Sequence, residues 1–146
     1  MKQVSVQSAD FDAGAALDAL GREGAGAVAS FVGLVRGDGG LSAMTLEHYP
    51  AMTQTSLDAL ADEAANRWPL SGIIVIHRVG RLVPGDRIVL VATASAHRAA
   101  ALEACTFLID RLKTDAPFWK KEEFDDGTSR WVDARESDTA AATRWG

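Results

Sequence analysis

The sequence predicts an α+β domain in which helices pack against a mainly antiparallel sheet. Segments with β-branched, alternating character are interrupted by three segments with helical periodicity, in the order β-α-β-β-α-β-β-α-β-β. The 146 residues are 47% hydrophobic and 24% charged, a composition typical of a globular protein. This length suits a single domain over residues 1–146 with a core of its own.

The first third of the chain predicts a short strand, a short helix and two further strands. Residues 2–7 alternate as a strand, and Asp12 can cap a helix that closes at a glycine. Residues 25–35, "AGAVASFVGLV", predict a buried strand, and "RGDGG" at 36–40 predicts a turn into a further strand at 43–49. The apolar side of the short helix would contain Ala13, Ala16, Leu17 and Leu20.

The middle of the chain carries the clearest helix and two apolar strands. The helix follows Pro50, and Pro69 ends it because the residue before a proline is disfavoured in the helical region. "GIIVIHRVG" at 72–80 and "RIVLVATAS" at 87–95 are β-branched strands. "VPGD" at 83–86 suits a type II turn between them. The helix presents Leu57, Leu60, Ala61, Ala64 and Trp68 at helical spacing.

The last predicted elements are a helix over about 96–114 and a closing hairpin. We expect Phe107 to lie on the polar side of this helix, as a candidate for contact with another subunit. "PFWKKEEF" at 117–124 and "SRWVDAR" at 129–135 flank the turn "DDGT". The apolar face of the helix would be formed by Leu102, Cys105, Ile109 and Leu112.

Charge and composition exclude several classes of function. The net charge is −5 and the isoelectric point is near 5.1, which disfavours nonspecific nucleic-acid binding. No apolar run is long enough for a membrane span, and we expect no secretory leader. The single cysteine, Cys105, rules out an internal disulfide and favours a cytoplasmic location. An anionic ligand would therefore need a local cluster of cations.

Three groups of cations are candidates for such a cluster. His97 and Arg98 open the last helix, where backbone N–H groups and the helix dipole favour an anion. Arg36 ends a strand beside a glycine-rich loop. Lys113 lies in the last turn before Pro117, and Lys120 lies on the next strand. Each has a plainer interpretation as a surface cation, and Lys113 also suits a helix C-terminus electrostatically.

Metal and nucleophile chemistry have weaker support. His48, His77 and His97 are widely spaced and form no metal-binding pattern, and no phosphate-loop or dinucleotide motif occurs. Cys105 fits a small core residue. Strand alternation sends Glu47 and His48 to opposite faces, so we do not expect them to act as a pair.

Six motifs in order resemble one family. They are "FVGLVRG", "MTLEHYPAMT", "RWPLSGIIVIHRVGRLVPGD", "SAHR", "LKTDAPFWKKE" and "RWVDARESD", and the match as a whole runs from about Phe31 to Trp145. Together they resemble the large, catalytic subunits of molybdopterin synthase, the MoaE family. The resemblance implies an α/β-hammerhead-like domain with an additional antiparallel β subdomain.

The resemblance also implies a reaction and its partners. A homodimer would bind two copies of a small ubiquitin-like sulfur carrier that ends in a Gly-Gly thiocarboxylate. Sulfur would pass from that C-terminus to cyclic pyranopterin monophosphate and form the molybdopterin dithiolene, so the chain would be a sulfurtransferase of molybdenum cofactor biosynthesis. No cofactor, metal, nucleic acid or membrane is implied.

The family's site residues match ten positions of this chain. The resemblance implies catalytic roles for Lys113 and Lys120. One lysine could exchange protons and the other could transiently bond to the acyl carbon of the partner, but the sequence does not say which does which. Some relatives have a lysine where this chain has Leu34. The implied substrate contacts are Leu34, Val35, Arg36, His97, Arg98, Lys113, Lys120, Lys121, Glu122 and Arg135.

The sequence leaves two alternative functions open. One is a binding module of the same family that docks the small partner or senses a phosphate without turnover. The other is an unrelated α+β enzyme that acts on a phosphorylated metabolite by acid–base chemistry. The second explains the cations but not six motifs in order.

Overall fold

The structure, a computed structural model, describes residues 1–22, 24–132 and 143–145 of the chain. Within this part three helices and eight strands form, in the order β1-α1-β2-β3-α2-β4-β5-β6-α3-β7-β8. The strands are β1 (Lys2–Gln7), β2 (Ala27–Leu34), β3 (Leu41–His48), β4 (Leu70–Arg78), β5 (Gly80–Leu82), β6 (Arg87–Ser95), β7 (Phe118–Phe124) and β8 (Ser129–Val132). The helices are α1 (Ala13–Gly21), α2 (Pro50–Arg67) and α3 (Arg98–Asp115), and a 3-10 turn at Asp38–Gly40 precedes β3.

The described strands form two four-stranded sheets, and the α+β prediction is confirmed. The first sheet has the order β1-β4-β6-β2, with β1 parallel to β4 and the other pairs antiparallel. The second has the order β5-β3-β7-β8 and is antiparallel throughout. The strand pattern predicted one mainly antiparallel sheet, and this is wrong. The short strand β5 follows β4 of the first sheet and pairs with β3 in the second. Gly80, with a φ of 93°, begins β5 in a conformation that favours glycine.

The first sheet is buried on both faces, which explains the unbroken apolar run in β4. Ile73 and Val75 pack with residues of α2 and α3. Ile74 and Ile76 point to the opposite face and pack with Leu20 of α1. Because successive strand residues face opposite ways, a strand covered on both faces needs apolar residues at every position.

The predicted helix ends are confirmed. The side chain of Asp12 accepts a hydrogen bond from the backbone N–H of Ala15 at 3.0 Å and caps α1. Trp68 and Ala116 are extended, each directly before a proline, and they end α2 and α3. The Thr53 hydroxyl donates to the backbone carbonyl of Pro117 at 3.1 Å, so the start of α2 holds the chain where it leaves α3.

The buried face of α3 differs from the prediction. Phe107 is fully buried, its ring centroid lies 5.3 Å from that of Trp68, and Arg67 and Arg111 lie over its ring. Leu102 is 58% exposed. The expected subunit contact at Phe107 is therefore wrong: guanidinium groups cover an aromatic ring on the side that looked polar. The buried residues of α3 are Ala101, Ala104, Cys105, Phe107, Leu108 and Leu112.

Candidate active site

A cavity of about 580 Å³ opens between the two sheets and the C-terminal end of α3. Its wall comes from the end of β2 and the residues after it, from β3 and β7 of the second sheet, and from single residues of β4 and β8. Most of the lining is apolar. The titratable residues in the lining are Arg36, His77, Lys113, Lys120 and Glu122.

Lys113 and Lys120 line this cavity together, as predicted. Lys113 belongs to the last turn of α3, and Lys120 lies opposite Leu46 in the β3–β7 pair. The chain turns between them because Ala116, the residue before Pro117, has a ψ of 129° and cannot continue the helix. A helix end and a strand therefore present two amines to one space.

Strand alternation in β7 separates the residues that follow. Phe118, Lys120 and Glu122 line the cavity, and Lys121 does not. Lys121 pairs with Trp131 of β8 on the other face of the second sheet. Lys121 therefore does not line this cavity, and its implied substrate contact stays a prediction. Glu122 does line the cavity, and it forms an ion pair with Arg130 at 3.3 Å.

The end of β2 brings the other predicted contacts to the mouth of the cavity. Leu34, Val35 and Arg36 all contribute to the lining. Val35 is held in place because its backbone N–H donates to the carbonyl of Asp86 at 2.9 Å and its carbonyl accepts from Gly85 at 2.9 Å. Leu34 is 54% exposed, so it presents an apolar side chain at the rim.

His97 and Arg98 lie away from this cavity. They begin α3, whereas Lys113 lies near its end. An 18-residue helix rises about 1.5 Å per residue, so its two ends are about 25 Å apart. The pairing of β2 with β6 also separates these residues from the cavity. Ser95, just before His97, pairs with Ala27 at one end of β2, whereas Leu34 at the cavity end pairs with Arg87. A single chain therefore does not bring His97 and Arg98 to Arg36.

The remaining implied contact, Arg135, lies outside the described residues. Val132, at the end of β8, lines the cavity.

Sequence reasoning missed His77 as a cavity residue. It lies on β4, is 6% exposed, and its ring stacks on Phe118 with centroids 3.9 Å apart and planes 18° from parallel. Burial is the largest cause that lowers the pKa of His77 to about 4, and the charges of Lys113 and His48 lower it further, against the opposing effect of the Arg78 carbonyl. The signal in the sequence was one histidine in a strand that is otherwise apolar.

Cys105 is a core residue, as predicted. It packs in the cluster beneath α3, and its thiol lies 3.8 Å from the backbone carbonyl of Val91. Burial raises the pKa of this thiol to about 11. At neutral pH it is therefore protonated, and it does not line the cavity.

The described part of the chain lacks two further features. None of the helices there is long and apolar enough to cross a membrane. Among the same residues, no three His, Cys, Asp or Glu side chains are grouped so that they could hold a metal ion.

The described lining of the cavity suits an anion. Arg36, Lys113 and Lys120 supply N–H donors and positive charge, and the rest of the lining is largely apolar. Fold and site together define an α+β protein with a cationic cavity that is suited to anionic substrates.

Comparisons with known proteins agree with this class. The model of a family described as "MoaE protein" matches residues 6–115. The molybdopterin synthase catalytic subunit of Ralstonia nicotianae is 56% identical, and the match covers 100% of this chain and 85% of the relative. The chain belongs to the MoaE family.

Solved structures show the same fold. The MoaE protein from Burkholderia ambifaria matches with a TM-score of 0.86 at 51% identity, over 100% of this chain and 99% of that one. A protein-protein complex of subunits 1 and 2 of the molybdopterin-converting factor from Helicobacter pylori contains a chain that matches with a TM-score of 0.71. That chain is 22% identical and the match covers 92% of this chain and 90% of that one, so it supports the fold. The second, antiparallel sheet agrees with the added β subdomain that the sequence motifs imply.

Proposed function

We propose that this protein is the catalytic subunit of a molybdopterin synthase. It transfers sulfur from the thiocarboxylated C-terminus of a small ubiquitin-like subunit to cyclic pyranopterin monophosphate, which becomes the dithiolene of molybdopterin. The observation that carries the proposal is the convergence of Lys113 and Lys120 on one cavity. Family membership and the names of close relatives support it.

The electrostatics of the cavity favour both proposed ligands. The whole chain carries a net charge of −5, yet among the described residues three cations and one acid line the cavity. One of the cations, Arg36, also lies 3.6 Å from the carboxylate of Asp38. The acid, Glu122, is paired with Arg130, so its charge is largely offset. A phosphate and a thiocarboxylate are both anions, and they are therefore attracted to this space against the average charge of the protein.

The two lysines act where the charge changes during sulfur transfer. As sulfur bonds to the substrate, its bond to the acyl carbon of the thiocarboxylate breaks, and water adds to that carbon so that the small subunit leaves as a carboxylate. Negative charge shifts between oxygen and sulfur during this exchange. Ammonium groups fixed beside these atoms stabilise that charge more in the transition state than in the ground state. Lys113 and Lys120 are fixed in this way because a helix end and a strand hold their backbones.

The rim of the cavity provides the proposed docking site for the small subunit. Phe31 and Leu34 are exposed apolar residues of β2 that also belong to the lining. A tail of two glycines carries no side chains and can pass such a rim in an extended form. The Helicobacter pylori relative was solved as a complex of two subunits, which supports a partner of this kind.

The proposed homodimer would explain how His97 and Arg98 can contact the substrate although they lie far from the cavity of their own chain. In one chain they are about 23 Å from Lys113, because 15 or 16 residues of helix separate them at about 1.5 Å per residue. If they bind the phosphate of the same substrate, a second copy of the chain must supply them. Arg135 is proposed as a further substrate contact on the family motif alone.

Reconstitution tests the proposal directly. The purified chain, the thiocarboxylated small subunit and cyclic pyranopterin monophosphate should together yield molybdopterin. Complex formation without any product would instead support a binding module. Absence of both complex and product would leave the second alternative, an unrelated enzyme with a cationic cavity.

A further inference from the structure

His77 is the buried polar side chain at the wall of the cavity that the proposed reaction does not yet use. It shares a face of β4 with Ile73 and Val75, which pack beneath α2 and α3. Phe118 covers one face of its ring. With 6% of its surface exposed, His77 is largely enclosed, and it belongs to the lining of the cavity.

The hydrogen bond of His77 determines which ring nitrogen carries the proton. Nδ1 lies 2.8 Å from the backbone carbonyl oxygen of Arg78. Because a carbonyl only accepts, Nδ1 is the donor and Nε2 keeps its lone pair. Among the described residues, no group hydrogen-bonds Nε2.

Burial and two neighbouring charges keep the ring of His77 neutral. The lowered pKa of about 4 arises first from burial and then from the charges of Lys113 on α3 and His48 on β3. At neutral pH the ring is therefore uncharged and Nε2 can accept a hydrogen bond.

The other polar groups of the cavity make this acceptor distinctive. Arg36, Lys113 and Lys120 only donate hydrogen bonds. Glu122 is an anionic acceptor, with Arg130 bound to its Oε1, so Nε2 of His77 adds a neutral acceptor to the described lining. A ligand that carries both an anionic group and N–H donors would match this distribution. The cations would hold its anion, and Nε2 would receive one of its N–H groups.

We propose that His77 is a substrate-binding residue whose Nε2 accepts a hydrogen bond from an N–H donor on the heterocycle of the substrate. The inference rests on the proposed function, since the reduced pterin ring of cyclic pyranopterin monophosphate carries such donors. His77 then selects a heterocycle with an N–H at that edge, while the cations select its phosphate.

The tail of the small subunit is a poorer match for this position. Its tip is a thiocarboxylate, which has acceptor atoms only, and the Nε2 lone pair would repel it. The two lysines, as donors, suit that tip instead. We therefore assign His77 to the small substrate.

Two substitutions separate the acceptor from the shape of the ring. His77→Phe keeps a ring that can stack on Phe118 but removes the acceptor. His77→Gln restores an oxygen acceptor near the position of Nε2. Calorimetry should show substrate affinity about tenfold lower for His77→Phe, because one buried hydrogen bond is lost. His77→Gln should recover most of that loss, and affinity for the small subunit should stay within about twofold of wild type in both.

Nitrogen NMR of the wild-type protein provides a test that needs no turnover. A protonated Nδ1 and an unprotonated Nε2 are expected in the free protein, with the Nε2 signal shifting when substrate is added. The opposite tautomer, or equal losses in both variants, would overturn the assignment. So would a loss of small-subunit affinity without a loss of substrate affinity.

The outcomes also distinguish this inference from the proposed function. If the wild type makes molybdopterin while His77→Phe binds substrate normally, only the role of His77 is wrong. If the wild type neither binds cyclic pyranopterin monophosphate nor converts it, the proposed function fails and the role of His77 fails with it.

Discussion

At the scale of single residues, Lys113 and Lys120 carry the proposed chemistry, and Lys121 is their natural control. All three are lysines within nine positions of one another, yet only the first two line the cavity. Any difference among their alanine variants therefore reports on position and not on residue type.

We expect Lys113→Ala and Lys120→Ala each to lower the single-turnover rate of sulfur transfer by about 100-fold or more, because the lost ammonium acts mainly in the transition state. Lys121→Ala should stay within about threefold of wild type, since its side chain lies on the other face of the sheet. The rates are measured with saturating small subunit. Equal, small effects at all three positions would contradict the proposed roles.

Cys105 should be dispensable for sulfur transfer. Its buried thiol, with a raised pKa, behaves as a small apolar side chain. Cys105→Ala should keep its rate within about twofold of wild type in folded protein, because no step of the proposed reaction uses a thiol. Loss of activity in a folded variant, together with a persulfide on the wild-type chain by mass spectrometry, would show the opposite.

His77 should make stability depend on pH in a defined window. Its pKa is about 4 in the folded chain and near 6.5 when unfolded, so the unfolded state binds the proton first as pH falls. The free energy of unfolding should therefore decrease from about pH 6.5 to pH 4, by about 3 kcal/mol in all.

Denaturant titrations at several pH values measure this change, and His77→Phe should remove most of it. Asp10 does not interfere, because Arg87 and the Phe11 N–H lower the pKa of its carboxyl to about 2 and its contribution is lost only at more acid pH. A stability curve of equal slope in His77→Phe and wild type would assign the effect to other groups.

At the scale of elements, β2 is the strand that connects the cavity to the surface. It is an edge strand of the first sheet, and its exposed apolar residues Phe31 and Leu34 lie at the rim of the cavity. A register shift at Gly33 and Leu34 turns the strand there. The exposed rim is therefore the part of this element that a partner can reach.

Leu34→Glu should weaken binding of the small subunit by at least about tenfold, because a charge would be buried in an apolar contact. Leu102→Glu is the matched control: Leu102 has similar exposure but lies on α3 and does not line the cavity. Surface plasmon resonance with the thiocarboxylate-free small subunit measures both. Unchanged affinity in Leu34→Glu, or an equal loss in both, would place the docking site elsewhere.

At the scale of the whole molecule, the separation of His97 and Arg98 from the lysines requires a second copy if all belong to one site. Mixed dimers test this arrangement. A chain with Arg98→Ala is combined with a chain with Lys113→Ala, each inactive as a homodimer. If two chains share each site, every mixed dimer contains one intact site and one site with both changes.

Random mixing should then restore about a quarter of wild-type activity, since about half of the dimers are mixed and each has one intact site. If each chain forms its own site, mixing restores nothing. Light scattering of the same samples should report a homodimer that binds two small subunits. A monomer at micromolar concentration, alone and with the small subunit, would contradict the dimer itself.

The sequence by itself determined the local structure and the family. Prolines at 69 and 117 end two helices because of a steric clash within the chain, and Asp12 caps another through its own side chain. Alternation along β7 separated Lys120 from Lys121 for a similar reason, since neighbouring strand residues must face opposite ways. Six ordered motifs predicted the MoaE family, which the family model confirms.

The tertiary structure alone decided which elements meet. Strand patterns report alternation but not partners, so they did not predict which strands form each of the two sheets. The alanine-rich first half of α3 left its buried face ambiguous, and contact with Trp68 placed Phe107 inside and Leu102 outside. His77 became a cavity residue because Phe118 packs on its ring from a distant strand. Contacts between remote segments of this kind are set by packing, not by local sequence.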